Sequence, residues 1–461
     1  MNNTVGTNKF NYVIEHTLNA SMLDSSATSF DAGGFQLIQN TTDIDFSKYY
    51  SGILHGSNLA FGAAFRIDNY SIFAGEEGSW KNYGGLFFVK DSNGAIVDTT
   101  VRPSGSQGFP GFQPANELDE SRTNAGAYLD ADVDIIENWT VGGAVRYENY
   151  SDFGNTLNGK LATQYRIAPL GLAFRGTVGT GFRAPSLAQV YFNSSFTDFV
   201  EGKAIDKLIA RNDSPLADSL GIPKLKQELA VNMNLGLTER LGDFTATVDV
   251  YRVSIDDRIV LTGAFEDTIP AIRAALQANN VAAVQFFTNA IDTKTDGLDI
   301  VLGWLKPTDI GRFNATFAAN FTQMTLGDIK TSEKLAGKED VYFGRREQLF
   351  LLASAPESKM NLSLNYKLKA MYADLQLTRF GEVRLENWAG EDDVYDPKIV
   401  TSLTLGYDVS KNILINVGSN NLFNVYPDEH DPANTESGGL WDAVQMGSGG
   451  AYYFTKVSAK F

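Results

Sequence analysis

The chain has 461 residues, of which 43% are hydrophobic and 12% aromatic, and it contains 43 glycines and no cysteine. The lack of cysteine excludes disulfide frameworks and thiolate-bound metals, and the net charge of -17 argues against nucleic acid as a partner. No stretch approaches the ~18 consecutive apolar residues that a membrane-spanning helix needs. The length suits several soluble domains or one large β-barrel, whose strands show lipid only every second side chain.

The first predicted strands lie close to the N-terminus. We predict strands near residues 9–22, 34–48 and 59–72. The last of these alternates well, and its apolar face consists of Leu59, Phe61, Ala63, Phe65 and Ile67. Alternation of this kind indicates a strand with two different surroundings.

The clearest hairpin spans residues 125–147. One face of its first strand is apolar throughout, and the interleaved positions are mostly acidic. The apolar positions are Ala125, Ala127, Leu129, Ala131, Val133 and Ile135. A tight turn at Glu137-Asn138 leads into a second alternating run from Trp139 to Tyr147. Both runs exceed the five or six residues usual in a soluble sandwich, and charges of both signs on the polar face favour a membrane strand beside a wet lumen.

Further hairpins repeat this pattern along the chain. Their short turns lie at 168–171, 240–243, 306–309, 369 and 410–412. Between the hairpins lie long polar connections, which are 73–123, 181–226, 256–294, 325–355, 383–397 and 421–449. Short turns that alternate with long loops are typical of bacterial outer-membrane barrels and uncommon in compact soluble domains. We count about sixteen strands, an even number as such barrels require.

The C-terminal segment is a predicted strand that ends in an aromatic residue. Tyr453, Thr455, Val457 and Ala459 alternate with polar residues, and the chain stops at Phe461. Outer-membrane barrels resemble one another in this feature, which implies recognition by the barrel assembly machinery. The alternative is an ordinary final strand that happens to end in Phe.

Two motifs carry a resemblance to a family. Gly181-Phe182-Arg183-Ala184-Pro185-Ser186 resembles the signature where a mid-barrel strand of TonB-dependent receptors enters a long external loop. Asn421-Leu422-Phe423-Asn424 resembles that family's motif at the end of the penultimate strand. The order of the motifs fits the family across residues 120–461. The resemblance implies an all-β fold, a transmembrane antiparallel barrel of 22 strands of which about sixteen are present here.

The same resemblance implies how the chain is organised. We expect residues 1–461 to form a single barrel domain without an export signal, a TonB-contacting segment or a plug. Residues 1–6 carry no basic segment and no apolar export core, so we expect the natural protein to begin upstream. TonB would then be contacted by the part that is missing, and this chain alone would not transport actively.

The residues themselves give a partial rationale for the first motif. Pro185 lacks a donor and would end the strand ladder, and Gly179 and Gly181 would relieve crowding where the strand leaves the sheet. Arg183 could pair with luminal carboxylates as a structural strut or could face a ligand.

Nothing in the sequence predicts an enzyme, a resident cofactor or a firm metal site. The histidines His16, His55 and His430 share no metal-ligand spacing. The acidic runs 428–431 and 391–396 could hold calcium or could be solvated loop tips. Segment 267–290 is a candidate amphipathic loop helix. Aromatic residues on predicted loops could stack on a ligand or lie at the membrane interface, and they are Phe109, Phe112, Phe192, Phe196, Phe199, Tyr342 and Trp388.

These features support three functional hypotheses. The first is an outer-membrane receptor for a scarce nutrient such as a siderophore-iron complex, haem, cobalamin or an oligosaccharide, embedded in outer-membrane lipid. The second is a passive porin of about sixteen strands. The third is a surface adhesin whose loops contact a partner. The two motifs favour the first, and the sequence does not identify the nutrient or the residues that bind it.

Overall fold

The computed structural model describes residues 1–90, 92–200, 203–266, 273–274, 276–277, 282–435, 438–442 and 445–460. Strands dominate this part of the chain. In chain order they are β1 (Asn2–Glu15), β2 (Ser29–Tyr50), β3 (Ser57–Phe73), β4 (Leu86–Lys90), β5 (Ile96–Val101), β6 (Leu118–Ile136), β7 (Trp139–Tyr150), β8 (Gly154–Ile167), β9 (Leu172–Arg183), β10 (Ser194–Val200), β11 (Lys203–Ile209), β12 (Glu228–Leu241), β13 (Phe244–Leu261), β14 (Phe265–Glu266), β15 (Ala283–Gln285), β16 (Phe287–Thr308), β17 (Gly311–Ile329), β18 (Ser358–Leu368), β19 (Met371–Phe380), β20 (Val383–Glu386), β21 (Asp392–Tyr395), β22 (Lys398–Ser410), β23 (Ile413–Asn420) and β24 (Tyr452–Ala459).

Sixteen of these strands form one antiparallel sheet, which confirms the predicted fold class and strand count. Their order in the sheet is their order in the chain, β1-β2-β3-β6-β7-β8-β9-β12-β13-β16-β17-β18-β19-β22-β23-β24. The remaining strands form three small sheets within the connections, β10-β11-β15-β14, β20-β21 and β4-β5. A meander of long neighbouring hairpins is the topology that the alternating segments predict.

Short helices also lie in the connections. They are α1 (Glu77–Trp80), α2 (Leu187–Tyr191), α3 (Pro215–Leu220), α4 (Glu339–Tyr342) and α5 (Arg345–Leu352). Within the part of the chain that the structure describes, none of the helices has the length and apolar character needed to cross a membrane.

The two ends of the large sheet differ. At one end, here the turn end, consecutive strands join through a few residues, as between Ile136 and Trp139 or between Leu241 and Phe244. At the other end, the loop end, most connections are long, and the longest run from Phe73 to Leu118 and from Arg183 to Glu228. The connection between Tyr150 and Gly154 is a short exception. The predicted asymmetry between turns and loops is therefore confirmed.

Several strands extend further than the sequence pattern predicts. Strand β13 continues to Leu261 and β16 begins at Phe287, so both enter the predicted loop 256–294. Strand β17 likewise reaches Ile329, and the first strand covers 2–15 rather than 9–22. The backbone ladder needs no lipid-facing stripe, so it continues beyond the lipid, where side-chain alternation no longer reveals it and where residues 288–291 are buried.

The apolar stripe predicted from alternation lies on an open surface of the sheet. Leu129 is 48% exposed, Val145 is 42% exposed and Leu235 is 67% exposed, so none of them packs into a dry core. At the turn end, Tyr165 pairs directly with both Trp139 and Phe174 in the ladder. An apolar band bordered by a row of aromatic rings is typical of the lipid face of a membrane barrel.

The opposite face of the sheet is polar and charged. Arg175 forms a bidentate ion pair with Asp249, and Arg146 pairs with Glu148. Asn320 donates hydrogen bonds to the Asp299 carboxylate at 2.6 Å and to the Tyr251 hydroxyl at 3.1 Å. This distribution confirms the predicted phase, with full charges on the luminal stripe.

The two faces should respond differently to substitution. Leu129→Arg places a charge on the lipid stripe and should cost ~2–4 kcal/mol if the residue lies near the bilayer midplane, whereas Asp130→Asn on the luminal stripe should cost little. The free energy of unfolding in lipid vesicles measures both. Similar losses for the two variants would contradict the assignment of inner and outer faces.

Candidate functional site at the loop end

A cluster of aromatic and aliphatic side chains fills the loop end above strands β2, β3 and β6. Tyr70, Ile72, Phe112 and Leu187 are buried in it, and Phe35, Phe109 and Phe192 pack around them. The rings of Phe112 and Phe192 meet edge to face at 6.0 Å between centroids. The loop aromatics Phe109, Phe112 and Phe192 therefore form a core of their own, a role that neither sequence hypothesis for them included.

The first family motif is the junction at which β9 becomes helix α2. Ser186 begins the helix with a reciprocal capping box, since its hydroxyl accepts from the Gln189 amide at 3.0 Å and the Gln189 side chain accepts from the Ser186 amide at 3.1 Å. The cap fixes the direction in which the chain leaves the strand. Leu187, the next residue, can then enter the aromatic cluster.

Arg183 of this motif is a strut between strands. Its guanidinium forms two hydrogen bonds with the Glu228 carboxylate on neighbouring strand β12, one of them Nε to Oε2 at 2.7 Å. Glu228 is 5% exposed and also accepts the Ile259 amide at 2.7 Å. That amide follows an irregularity in β13, where Asp257 has φ of +57°. Of the two roles considered for Arg183, the structure supports the pairing with a carboxylate.

The remaining residues of the motif have smaller roles. Strand β9 ends at Arg183, and the carbonyl of Pro185 accepts a hydrogen bond from Arg122 at 2.7 Å. A Cβ on Gly179 would lie 3.3 Å from the Gly159 carbonyl oxygen, which is tight, whereas at Gly181 the nearest atom would be 3.7 Å away. The prediction that glycine relieves crowding is therefore confirmed at Gly179 and wrong at Gly181. Ala184 is half-buried, and the Phe182 ring meets Tyr150 edge to face at 5.8 Å.

The second family motif is a turn that ends β23. Asn421 and Asn424 have φ of +51° and +55°, a conformation that asparagine tolerates better than most residues. The Asn421 side chain binds both backbone groups of Val425, donating to its carbonyl at 2.7 Å and accepting from its amide at 2.8 Å. Leu422 donates its amide to the Thr401 carbonyl, and Phe423 is exposed. The asparagines thus form the turn that ends β23.

A charged cleft of about 410 Å³ lies on the luminal face beside the first motif. Its lining includes Arg66, Asp68, Arg122, Tyr150 and Arg183. Arg122 has a side chain only 7% exposed and binds Asp68 at 3.1 Å. The guanidinium carbons of Arg66 and Arg122 lie 5.8 Å and 5.4 Å from the centre of the Tyr150 ring. Its size is within the range of small-ligand sites, ~300–1,000 Å³.

The two acidic runs that could have been calcium sites or solvated loop tips come together at the loop end. Asp428 accepts the Asp396 amide at 2.7 Å and forms an ion pair with Lys398. Asp392 pairs with Arg345 and Arg384, and the hydrogen bond from Arg345 lowers the pKa of the Asp392 carboxyl. Within the described ranges no three histidine or carboxylate side chains group in a way that could hold a metal ion. The carboxylates of Asp392 and Asp428 therefore hold separate segments of the loop end together through ion pairs and a hydrogen bond.

Three long connections share a second buried core, here the loop core. The connection after β9 contributes Leu220, the connection after β13 contributes Phe265 and Phe286, and the connection after β17 contributes Tyr342 and Phe343. The hydroxyl of Tyr342 shares a hydrogen bond of 2.5 Å with Thr288 on β16. The predicted loop residue Tyr342 is therefore completely buried.

A further loop contacts this assembly through Trp388, in the turn between β20 and β21. Lys207 Nζ lies 4.1 Å from the centre of the Trp388 ring, and the Arg346 guanidinium lies 3.8 Å from it. Lys207 is 2% exposed, so this cation is almost fully removed from water. Two cation–π contacts therefore link the β20–β21 hairpin to β11 and to helix α5.

Some predicted features fall where the structure gives no description. Phe461 and the side chains of Phe196 and Phe199 lie outside the described residues, as does most of segment 267–281. Within the proposed helix 267–290, the described residues 273–274 and 276–277 are helical as predicted, whereas residues 283–285 and 287–290 are strand, so the prediction is wrong for that part. The apolar residues that suggested a helix in this segment, among them Val284 and Phe286, are buried in the loop core.

Sequence reasoning missed Arg66, Asp68, Arg122 and Glu228. Arg66 and Asp68 occupy the polar stripe of the predicted strand 59–72, so alternation alone places them towards the lumen. Arg122 and Glu228 lie at the edges of predicted loops, where that pattern had already ended. Register across the sheet, which pairs Arg122 with Asp68 and Glu228 with Arg183, supplied the missing information.

The charged luminal stripe and the apolar outer stripe are those of a membrane β-barrel wall. A family model described as TonB dependent receptor-like, beta-barrel matches residues 2–422. The chain belongs to the TonB-dependent receptor family.

Known relatives agree with this assignment. The Vitamin B12 transporter BtuB of Vibrio vulnificus (strain CMCP6) is 27% identical over 141 residues, which is 31% of this chain and 18% of the transporter. A variant of the ferric enterobactin receptor PfeA of Pseudomonas aeruginosa has a TM-score of 0.62 at 13% identity and is matched over 100% of this chain and 59% of the receptor. For the siderophore receptor PirA of Acinetobacter baumannii the TM-score is 0.57 at 15% identity, with 95% of this chain and 56% of the receptor covered. The chain thus spans somewhat more than half of these receptors, and the structural likeness shows the fold.

The Arg183–Glu228 strut can be tested through the amide it anchors. Glu228→Ala removes the carboxylate from Arg183 and leaves the Ile259 amide without its acceptor, so we expect a loss of about 2 kcal/mol in unfolding free energy. Hydrogen exchange at Ile259 should become faster. Glu239→Ala, on the same strand near the turn end, is the matched control and should change both quantities little. Equal effects of the two substitutions would refute the strut.

Trp388 offers a second test of loop organisation. Trp388→Leu keeps an apolar side chain but removes both cation–π contacts, so the β20–β21 hairpin should lose about 1–2 kcal/mol of docking free energy. Hydrogen exchange of residues 383–395 measures this loss. Trp139→Leu on the outer face should leave exchange in the hairpin unchanged, and an unchanged hairpin in Trp388→Leu would contradict the linking role.

Proposed function

We propose that this chain forms most of the membrane barrel of an outer-membrane receptor that takes up a scarce nutrient. The observation that carries the proposal is the family match over residues 2–422, together with a sixteen-stranded sheet that separates an apolar outer stripe from a charged luminal stripe. A siderophore-iron complex, haem, cobalamin and an oligosaccharide remain the candidate nutrients. A transporter of vitamin B12 and receptors for siderophores are among the relatives, which supports this range.

The edges of the sheet favour a receptor barrel over a sixteen-stranded porin. Among the described strands, β1 pairs only with β2 and β24 pairs only with β23, so the two edges do not meet. A porin of sixteen strands would close on itself, because an unpaired strand edge is not tolerated in lipid. The open arc is consistent with a 22-stranded barrel to which about six further strands contribute.

The proposed partners follow from this architecture. We place the barrel, as a single domain of residues 1–461, in the bacterial outer membrane with its turn end towards the periplasm and its loop end outside. TonB would be contacted by a part of the receptor beyond these residues. The barrel assembly machinery would recognise the amphipathic strand β24 and the aromatic residue that follows it.

The loop end provides the entry for a ligand in this proposal. The loop core and the β20–β21 hairpin form a structured rim at the loop end, and the charged cleft on the luminal face borders the aromatic cluster, with which it shares Leu187. A ligand that passes the rim would meet fixed arginines before it reaches the turn end. Such an arrangement suits capture at low concentration, since binding groups that are already ordered cost less entropy on binding.

Uptake by a strain that lacks the protein tests the proposal. Transcript levels under limitation of iron, cobalamin and glycans identify the nutrient, and uptake of that labelled nutrient is then compared with the parent strain. A receptor predicts loss of uptake in the deletion strain and, in the parent, loss of uptake after a protonophore removes the proton-motive force. Uptake that is lost on deletion but insensitive to the protonophore would support the porin instead. No change in expression and no change in uptake would reject nutrient import.

A further inference from the structure

We propose that the charged cleft beside the first motif binds an organic anion, specifically a carboxylate attached to a flat apolar body. This inference deepens the proposed uptake function and rests on it for its biological meaning. It is carried by the hydrogen-bonding capacity of the side chains that line the cleft. Those side chains are Gln39, Arg66, Asp68, Arg122, Tyr150 and Arg183.

Both oxygens of the carboxylate in the cleft wall already have partners, so most of its acceptor capacity is used. Asp68 is 4% exposed. Its Oδ1 accepts from Gln39 at 2.8 Å, and its Oδ2 accepts from Arg122 at 3.1 Å and lies 3.3 Å from Arg66 Nε. A ligand that approaches the cleft therefore meets an acid whose oxygens are already occupied.

The donors of Arg66, in contrast, are largely unused. A guanidinium has five N–H donors. The hydrogen bonds found for Arg66 comprise one contact, from Nη2 to the Tyr150 hydroxyl at 3.4 Å, which is long. Its Nε is buried and has no hydrogen-bond partner, although it lies close to Asp68. The side chain is 28% exposed, so the group can be reached from the lumen.

Arg122 adds a buried positive charge behind Arg66. Its Nη1 donates to the Pro185 carbonyl and contacts Asp152 at 3.5 Å, which fixes the guanidinium. Its Nε is also buried without a hydrogen-bond partner. Arg66 and Arg122 share the single carboxylate of the cleft wall, and Arg183, the third arginine, is bound by Glu228. The guanidinium groups of Arg66 and Arg122 thus have N–H donors without partners, while the oxygens of Asp68 already accept hydrogen bonds. A ligand group that only accepts hydrogen bonds, such as the two oxygens of a carboxylate, fits this arrangement.

The rest of the lining defines what the anion is attached to. Leu37, Phe182 and Leu187 form an apolar wall, and the Tyr150 ring faces the guanidinium groups. An extended apolar or aromatic body fits against this wall, whereas a neutral oligosaccharide would leave both the donors and the apolar surface unmatched. Among the candidate nutrients, the cleft therefore favours one that carries acid groups.

Binding of two probes of equal shape tests this inference. The full-length protein, purified in detergent, is equilibrated by dialysis with 2-naphthoate or with the uncharged 2-naphthamide. Wild type should bind the naphthoate about tenfold more tightly than the amide, because only the carboxylate accepts charge-assisted hydrogen bonds. Arg66→Gln should remove that preference, and the exposed turn-end substitution Arg166→Gln should leave it intact.

A second variant excludes damage to the fold as the explanation. Asp68→Asn removes the carboxylate that competes for Arg66 and Arg122, so naphthoate binding should become several times tighter, a gain that misfolding does not produce. Equal binding of both probes by wild type, an unchanged preference in Arg66→Gln, or weaker naphthoate binding in Asp68→Asn would each overturn the anion site. Those results would leave uptake in the deletion strain untouched, so the two proposals can fail separately.

Discussion

Backbone hydrogen bonding within a membrane is the constraint on which the structure depends. Lipid offers no partner for amide or carbonyl groups, so every strand that crosses it has to be paired along its length on both sides. Strand β16 meets this requirement, since its residues pair with β13 on one side and with β17 on the other from the turn end to the loop end. Register then follows from the apolar stripe, because a slip of one residue would turn Leu298 and Ile300 into the lumen and Asp299 into lipid.

Irregular backbone lies near the two ends of the sheet, at Asp134 and Asp408 beside the turns and at Asp257 beside the loops, where water can satisfy it. The irregularity at Asp257 interrupts the ladder between β13 and β16, and the side chains around it replace the lost pairing. Lys226 and Lys330 bind its carboxylate, Asn289 binds its carbonyl, and Glu228 holds the Ile259 amide. Since Glu228 is also the partner of Arg183, the first family motif connects the exit of β9 to this irregular segment of β13. The motif thus has a structural role, since it connects β9 to β13, and the cleft lies beside it.

The sequence allowed the sheet to be predicted in some detail, because lipid imposes a period of two on every strand that crosses it. Leu129, Val145 and Leu235 were assigned to the outer face from alternation, and their exposure agrees. Outside the lipid this alternation is lost, and side-chain positions could no longer be predicted from it. Phe112 and Tyr342 are buried by residues of distant connections, and no local sequence pattern predicts such contacts. The same holds for the cleft, in which Arg66 and Arg122 are 56 positions apart in the chain and become neighbours only through the pairing of β3 with β6.

The loop core also bears on how this surface can change over time. Leu220, Phe265 and Tyr342 come from different connections but exclude water jointly, so replacing one of them removes support from the others. At Gly447 and Gly449, in the exposed connection before β24, an added side chain would meet no atom within 4 Å, so these positions tolerate change more readily. A loop end built in this way can change its exposed segments while the buried framework that joins the three connections stays constant.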